Sequence, residues 1–135
     1  MSANKIVKLI KEKEIEYVDL RFTDPRGKLQ HLTMDSKMVD DEMLNDGVFF
    51  DGSSIAGWKA INESDMILKP DLGRLVIDPF TSHNTLILFC DVLDAVKKNP
   101  YERDPRSIAK KAEAYLKKTG IGDKAYFGPE AEFFV

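Results

Sequence analysis

Glu130-Ala131-Glu132 places two carboxylates at i and i+2, in a stretch flanked by Phe127, Phe133 and Phe134. In a strand these side chains share one face, with Cα atoms about 7 Å apart, so each can hold its own divalent ion. Ligation by oxygen alone suits Mg²⁺ or Mn²⁺. The same spacing also describes a solvated edge strand. The flanking aromatics favour the metal reading, because carboxylates carried into an apolar setting need a partner. Asp51, followed by Gly52-Ser53-Ser54, is the second candidate. A carboxylate at a strand end beside two hydroxyls can bind a small cation or accept a proton; the alternative is an Asx-turn in which it caps its own loop. Trp58, in the same segment, reads as a packing residue. His31 and His83 lack a ligand-spaced partner and are assigned to local hydrogen bonding. The single cysteine, Cys90, excludes an internal disulfide or a cysteine zinc site, and its apolar neighbours make it an inert core residue. No Walker loop, Gly-x-Gly-x-x-Gly or Ser-His-Asp set is present.

The elements that must position these groups follow from periodicity and punctuation. Ile6, Leu9 and Ile10 recur at helical spacing behind Ser2, which predicts an amphipathic helix over 3–14 with Lys5, Lys8, Lys11 and Lys13 on its solvated face. Tyr17, Val18, Leu20 and Phe22 predict a strand, Asp24-Pro25-Arg26-Gly27 a turn, and residues 29–34 the returning strand. Asp35 is expected to cap a helical turn running to Leu44, with Gly47 as punctuation and Val48-Phe49-Phe50 as a short strand. Residues 51–65 read as a loop of the kind where function concentrates. Further strands are expected at 66–69, 75–77 and 85–91, the last buried on both faces. Asp104 as cap and Pro105 at the first helical position open a second helix. Its stripe is Ile108, Ala112, Tyr115 and Leu116, its ion pair Glu113 with Lys117, and its end Gly120. Residues 124–135 read as a strand interrupted by Gly128-Pro129. The class is therefore α+β, with a mixed sheet of five or six strands over 15–93 and a domain boundary near 94–104.

Composition sets the outer bounds. The chain has 135 residues, 43% of them hydrophobic, which is enough for a real core. Twenty Lys and Arg against 23 Asp and Glu give a net charge of −3. That balance argues against nucleic acid as a partner. No apolar run approaches the roughly 18 residues a spanning helix needs, so no membrane is expected. The first residues lack a secretory leader pattern, and the expected compartment is the cytoplasm. Because the sequence stops inside an apolar run, it is expected to be a piece of a longer protein.

The longer word pattern goes further. Phe50-Asp51-Gly52-Ser53-Ser54-Ile55-Ala56-Gly57-Trp58 and Ile61-Asn62-Glu63-Ser64-Asp65-Met66 resemble the signature loop of bacterial type I glutamine synthetases. Val18 to Asp24, Arg103 to Ala109 and Gly128 to Phe134 resemble further blocks of that family, in the right order along the whole chain. The resemblance implies an N-terminal helix over 1–14, a β-grasp domain over 15–97, and the first helix and strand of the catalytic domain over 104–135. It implies formation of glutamine from glutamate, ammonium and ATP through a γ-glutamyl phosphate, with two Mg²⁺ or Mn²⁺ ions. Glu132 matches the ligand of the ion on the glutamate and ammonium side, and Glu130 a ligand of the ion bridging the ATP phosphates. Asp51 matches the aspartate that binds ammonium and helps remove its proton; Ser54 matches a residue lining that pocket. The family assembles as a homo-oligomer, a dodecamer of two stacked hexameric rings with this loop reaching the neighbouring subunit's active site. Ala56 and Ala60 stand where glycine is usual and Ala131 where proline is usual, changes that stiffen the loop and remove no ligand. By itself the chain lacks most of the required site and is expected to be inactive. The alternatives are a non-catalytic folding or assembly module, and a paralogue that ligates glutamate to another amine.

Overall fold

A computed structural model describes residues 1–58 and 64–135. Ala60 and the block Ile61-Asn62-Glu63 lie outside the described residues. The elements run α1 (Ala3–Glu12), β1 (Tyr17–Thr23), β2 (Leu29–Asp35), α2 (Asp41–Asp46), β3 (Val48–Asp51), β4 (Asp65–Ile77), β5 (Thr85–Asp94) and α3 (Pro105–Thr119). Five strands form one sheet in the order β2-β1-β5-β4-β3. The central pair, β1 and β5, is parallel; every other pairing is antiparallel.

Alternation along the strands decides what the sheet covers. Val18, Leu20 and Phe22 of β1, Met66 and Leu68 of β4, and Leu86, Leu88, Cys90 and Val92 of β5 are buried together with Ile6 and Ile10 of α1 and Leu44 of α2. Side chains of this size contribute about 1.5–3 kcal/mol each when fully buried. The other face carries the polar residues of β1, where Asp19 accepts from Arg21 Nε at 2.7 Å, Thr33 Oγ1 at 2.7 Å and the His31 ring at 2.8 Å. His83 pairs with Glu16 at 3.2 Å, so both histidines make local bonds. Burial, with Asp91 nearby, raises the Cys90 thiol pKa and keeps it protonated and unreactive.

The structure departs from the sequence-based expectations in five places. Helix α1 ends at Glu12, because Glu14 takes a positive φ of 50°. The helical turn expected from Asp35 to Leu44 is two pieces: a 3₁₀ turn over Ser36–Met38 capped by Asp35, and α2 capped by Asp40, whose carboxylate accepts from Met43 N at 2.8 Å. The strands expected at 66–69 and 75–77 are one strand, β4, with a register shift between Pro70 and Leu75. The apolar stripe of α3 is exposed, Ile108 at 54% and Tyr115 at 70%, because the helix rests on the sheet through its charged side. There Arg106 donates to Asp91 at 2.9 Å and to Asp71 at 2.7 Å, and Lys110 also bonds Asp91. Finally, residues 124–135 carry no regular secondary structure. A strand exists only by pairing, and no described strand lies beside them.

Candidate functional site: the loop after β3

Asp51 is the last residue of β3, paired with Asp65 of β4. Its carboxylate does in fact cap the next turn. Oδ1 accepts from the Ser53 backbone N at 2.8 Å and from Ser53 Oγ at 2.6 Å, closing a 3₁₀ turn over Gly52–Ser54. Ser54 turns its hydroxyl the other way, onto the Asp51 carbonyl at 2.8 Å. The Ser53 hydroxyl and N–H, with help from Ser64, hold the Asp51 carboxyl below the usual carboxylate range despite slight desolvation. Asp51 is exposed, so what the turn presents to solvent is an oriented carboxylate whose ionised form is favoured by its Ser53 hydrogen bonds.

Close backbone packing fixes the turn. A Cβ on Gly52 would sit 2.3 Å from Met66 Sδ and 2.9 Å from the Ser64 carbonyl, so only glycine fits. Backbone bonds then run along the loop, Ile55 N to Gly52 O at 3.1 Å and Trp58 N to Ile55 O at 3.2 Å. The loop ends in an aromatic cluster. Trp58 is 5% exposed, stacks on Phe22 at 5.6 Å, and meets Phe50 and Tyr101 edge-on at 6.1 and 5.8 Å. The packing role expected of Trp58 is the one observed. Tyr101 and Arg103, in the stretch read from sequence only as a domain boundary near 94–104, both donate to this loop: Tyr101 Oη to the Trp58 carbonyl at 3.0 Å and Arg103 Nη1 to the Gly57 carbonyl at 3.1 Å. An aromatic and a guanidinium two residues apart in that stretch were the available signal.

Asp51 and Ser54 thus share one turn, but the hydroxyl on the Asp51 carboxylate is that of Ser53, while Ser54 bonds the Asp51 carbonyl. Glu130 and Glu132 are exposed and lie in the segment without regular structure. Among the described residues, no three His, Cys, Asp or Glu side chains gather into a metal-sized group. The two glutamates fit Mg²⁺ or Mn²⁺ by donor chemistry, but a divalent site takes about six oxygens, so further donors must complete it.

Two family models match the chain, glutamine synthetase β-grasp domain over residues 14–95 and glutamine synthetase catalytic domain over residues 102–135. The chain belongs to the glutamine synthetase family. A glutamine synthetase of Rhizobium meliloti (strain 1021) is 62% identical over 134 residues, covering 99% of this chain and 29% of the relative. One from Methylococcus capsulatus is 58% identical over 135 residues, again 29% of its length. The chain therefore spans under a third of these relatives. Among solved structures, a Plasmodium falciparum glutamine synthetase superposes with a TM-score of 0.79 at 25% identity, over 89% of this chain and 23% of that one. Apo GmaS shares the fold, with a TM-score of 0.76 at 22% identity, over 84% of this chain and 26% of that one. In this chain the polar residues of the Arg103–Ala109 block each have a contact. Arg103 holds the loop, and Arg106 ties α3 to the sheet. Asp104 caps α3, accepting from the backbone N and Oγ of Ser107 at 3.0 and 2.8 Å. No described helix is long and apolar enough to cross a membrane.

Proposed function

We propose that the chain supplies the ammonium-binding loop, and the first two metal-ligating carboxylates, of an enzyme that forms glutamine from glutamate, ammonium and ATP. The observation that carries this reading is the Asp51 turn: an exposed carboxylate kept ionised by the Ser53 hydroxyl and N–H. A fixed negative charge attracts ammonium and forms charge-assisted hydrogen bonds to it. Ammonium has no lone pair with which to attack, so a proton must leave before it displaces phosphate from the γ-glutamyl phosphate. A carboxyl with a lowered pKa is a poor store for that proton. Asp51 therefore holds the cation and relays its proton to solvent water at the exposed carboxylate, leaving neutral ammonia to attack, and Ser54 lines the pocket beside it. Glu130 and Glu132 would hold the divalent ions with donors from elsewhere in the protein. Such ions, when bound, neutralise phosphate charge and orient the transferring group. The assembly that goes with this reading is a homo-oligomer in which the loop serves a neighbouring subunit, supported by the exposure of Asp51 and of Phe49, 63% exposed on the same strand. A cytoplasmic setting is supported by the free, buried Cys90.

The test is a chimera in which residues 1–135 replace the matching segment of the Rhizobium meliloti relative. The chimera should form glutamine with ammonium as the preferred amine, and the isolated chain should not turn over. A chimera that prefers methylamine to ammonium would instead support a ligase for another amine. Robust turnover by the isolated chain would refute the claim that the site is completed from elsewhere.

A further inference from the structure

The connector between β5 and α3 is fixed to the sheet before it reaches the loop. Tyr101 N donates to the Val92 carbonyl at 2.9 Å, and Leu93 bridges Pro100. Just beyond, Asp104 is wholly buried as the cap of α3, and Arg106 locks that helix to Asp91 and Asp71. From this rigid base two side chains reach consecutive carbonyls in the Asp51 loop, Trp58 and Gly57. The Tyr101 bond is buried, where water competes little for the carbonyl. Gly57 takes a φ of +88°, a geometry open to glycine that turns its carbonyl toward Arg103. The loop's own backbone bonds link Trp58 to Ile55 and Ile55 to Gly52, so a shift at residues 57–58 propagates to the turn that orients Asp51.

We propose that Tyr101 and Arg103 are positioning residues for ammonium binding: they clamp residues 57–58 of the Asp51 loop to the base of α3. The inference rests on the reading of Asp51 as the ammonium-holding group. It assigns these two residues a role in one substrate's binding and none in glutamate or ATP binding.

Two measurements test it. Trp58 is the sole tryptophan, so its emission reports the clamp directly in the 135-residue chain. Tyr101→Phe, which keeps the ring and removes only the hydroxyl, should raise acrylamide quenching of Trp58 while the circular dichroism stays unchanged. Arg103→Ala should do the same, and Arg103→Lys should restore part of the protection. In the chimera, Tyr101→Phe should raise the KM for ammonium about two- to tenfold, the change that one hydrogen bond makes to an equilibrium. The kcat and the KM values for glutamate and ATP should stay within about twofold. A general fall in all parameters would reduce the clamp to a stability contact and overturn the proposal. Asp51→Asn in the same chimera separates the failures. If it raises the ammonium KM and Tyr101→Phe does not, the clamp alone is wrong. If it leaves the ammonium KM unchanged, the ammonium reading falls and the clamp with it.

Discussion

Replacing Asp104 by alanine should damage the start of α3 more than an ordinary cap deletion. The carboxylate is fully buried, and it accepts from Arg106 N at 3.4 Å, Ser107 N at 3.0 Å and Ser107 Oγ at 2.8 Å. Loss of a helix cap costs about 0.5–2 kcal/mol. Here the Ser107 hydroxyl, 3% exposed, is also left without its acceptor, and an orphaned buried polar group costs about 1–3 kcal/mol. The sum is roughly 1.5–5 kcal/mol, a large share of a domain's total stability. With a denaturant slope of about 2 kcal/mol/M, the urea midpoint falls by roughly 1–2.5 M. Asp104→Asn, an equally good cap, should lose under about 1 kcal/mol. The double variant Asp104→Ala with Ser107→Ala should be more stable than Asp104→Ala alone, because it removes the orphan. Urea titrations of the parent, these variants and Ser107→Ala, followed by Trp58 fluorescence and by helical circular dichroism, supply the comparison. A loss below about 0.5 kcal/mol for Asp104→Ala, with strict additivity in the double variant, would refute the reasoning.

Three further outcomes follow from the same contacts. Gly52→Ala forces Met66 and the Ser64 carbonyl away from a Cβ that would lie at 2.3 and 2.9 Å, which should cost about 1–3 kcal/mol in a thermal or urea melt. Asp19 is opposed by burial yet held below the usual carboxylate range by Arg21, Thr33 and His31, so its stabilisation is present above its unfolded pKa, near 4, and is lost as the pH falls through its lower folded value. Stability profiles below about pH 4 should therefore be flatter for Asp19→Asn than for the parent. Arg106→Met should lower the melting temperature by loosening α3 from Asp91 and Asp71, the more so because one removed partner leaves two carboxylates together.

What the sequence made legible was local. The Asp24 turn reads directly from Asp-Pro-Arg-Gly, and its side chain accepts from Arg26 N and Lys28 N at 2.9 Å, with Gly27 at a φ of +83°. The start of α3 is as plain in Asp104-Pro105. Asp51 was legible as a candidate and as an Asx-turn, and the structure joins the two readings in one carboxylate. What escaped was non-local. The sequence reads as two strands, 66–69 and 75–77, yet β4 runs through Pro70 because the strand absorbs the irregularity as a register shift against Cys90 to Leu88. The stripe on α3 has helical periodicity, but periodicity does not say which partner a face meets, and here the charged side meets the sheet. The clamp by Tyr101 and Arg103 spans more than forty residues of sequence and leaves no local pattern.

The central claim is that Asp51 holds ammonium, and steady-state kinetics of Asp51→Asn in the chimera, with ammonium varied at two pH values, tests it most directly. Asparagine keeps the size and one acceptor oxygen, so it preserves the turn made with Ser53 while removing the charge. The predicted loss in kcat/KM for ammonium is about 10²- to 10⁴-fold, the range of a general acid–base group. The KM values for glutamate and ATP should hold, and raising the pH, which supplies free ammonia, should recover part of the rate. An ammonium dependence identical to the parent's at both pH values would contradict the account and leave Asp51 as a turn residue only.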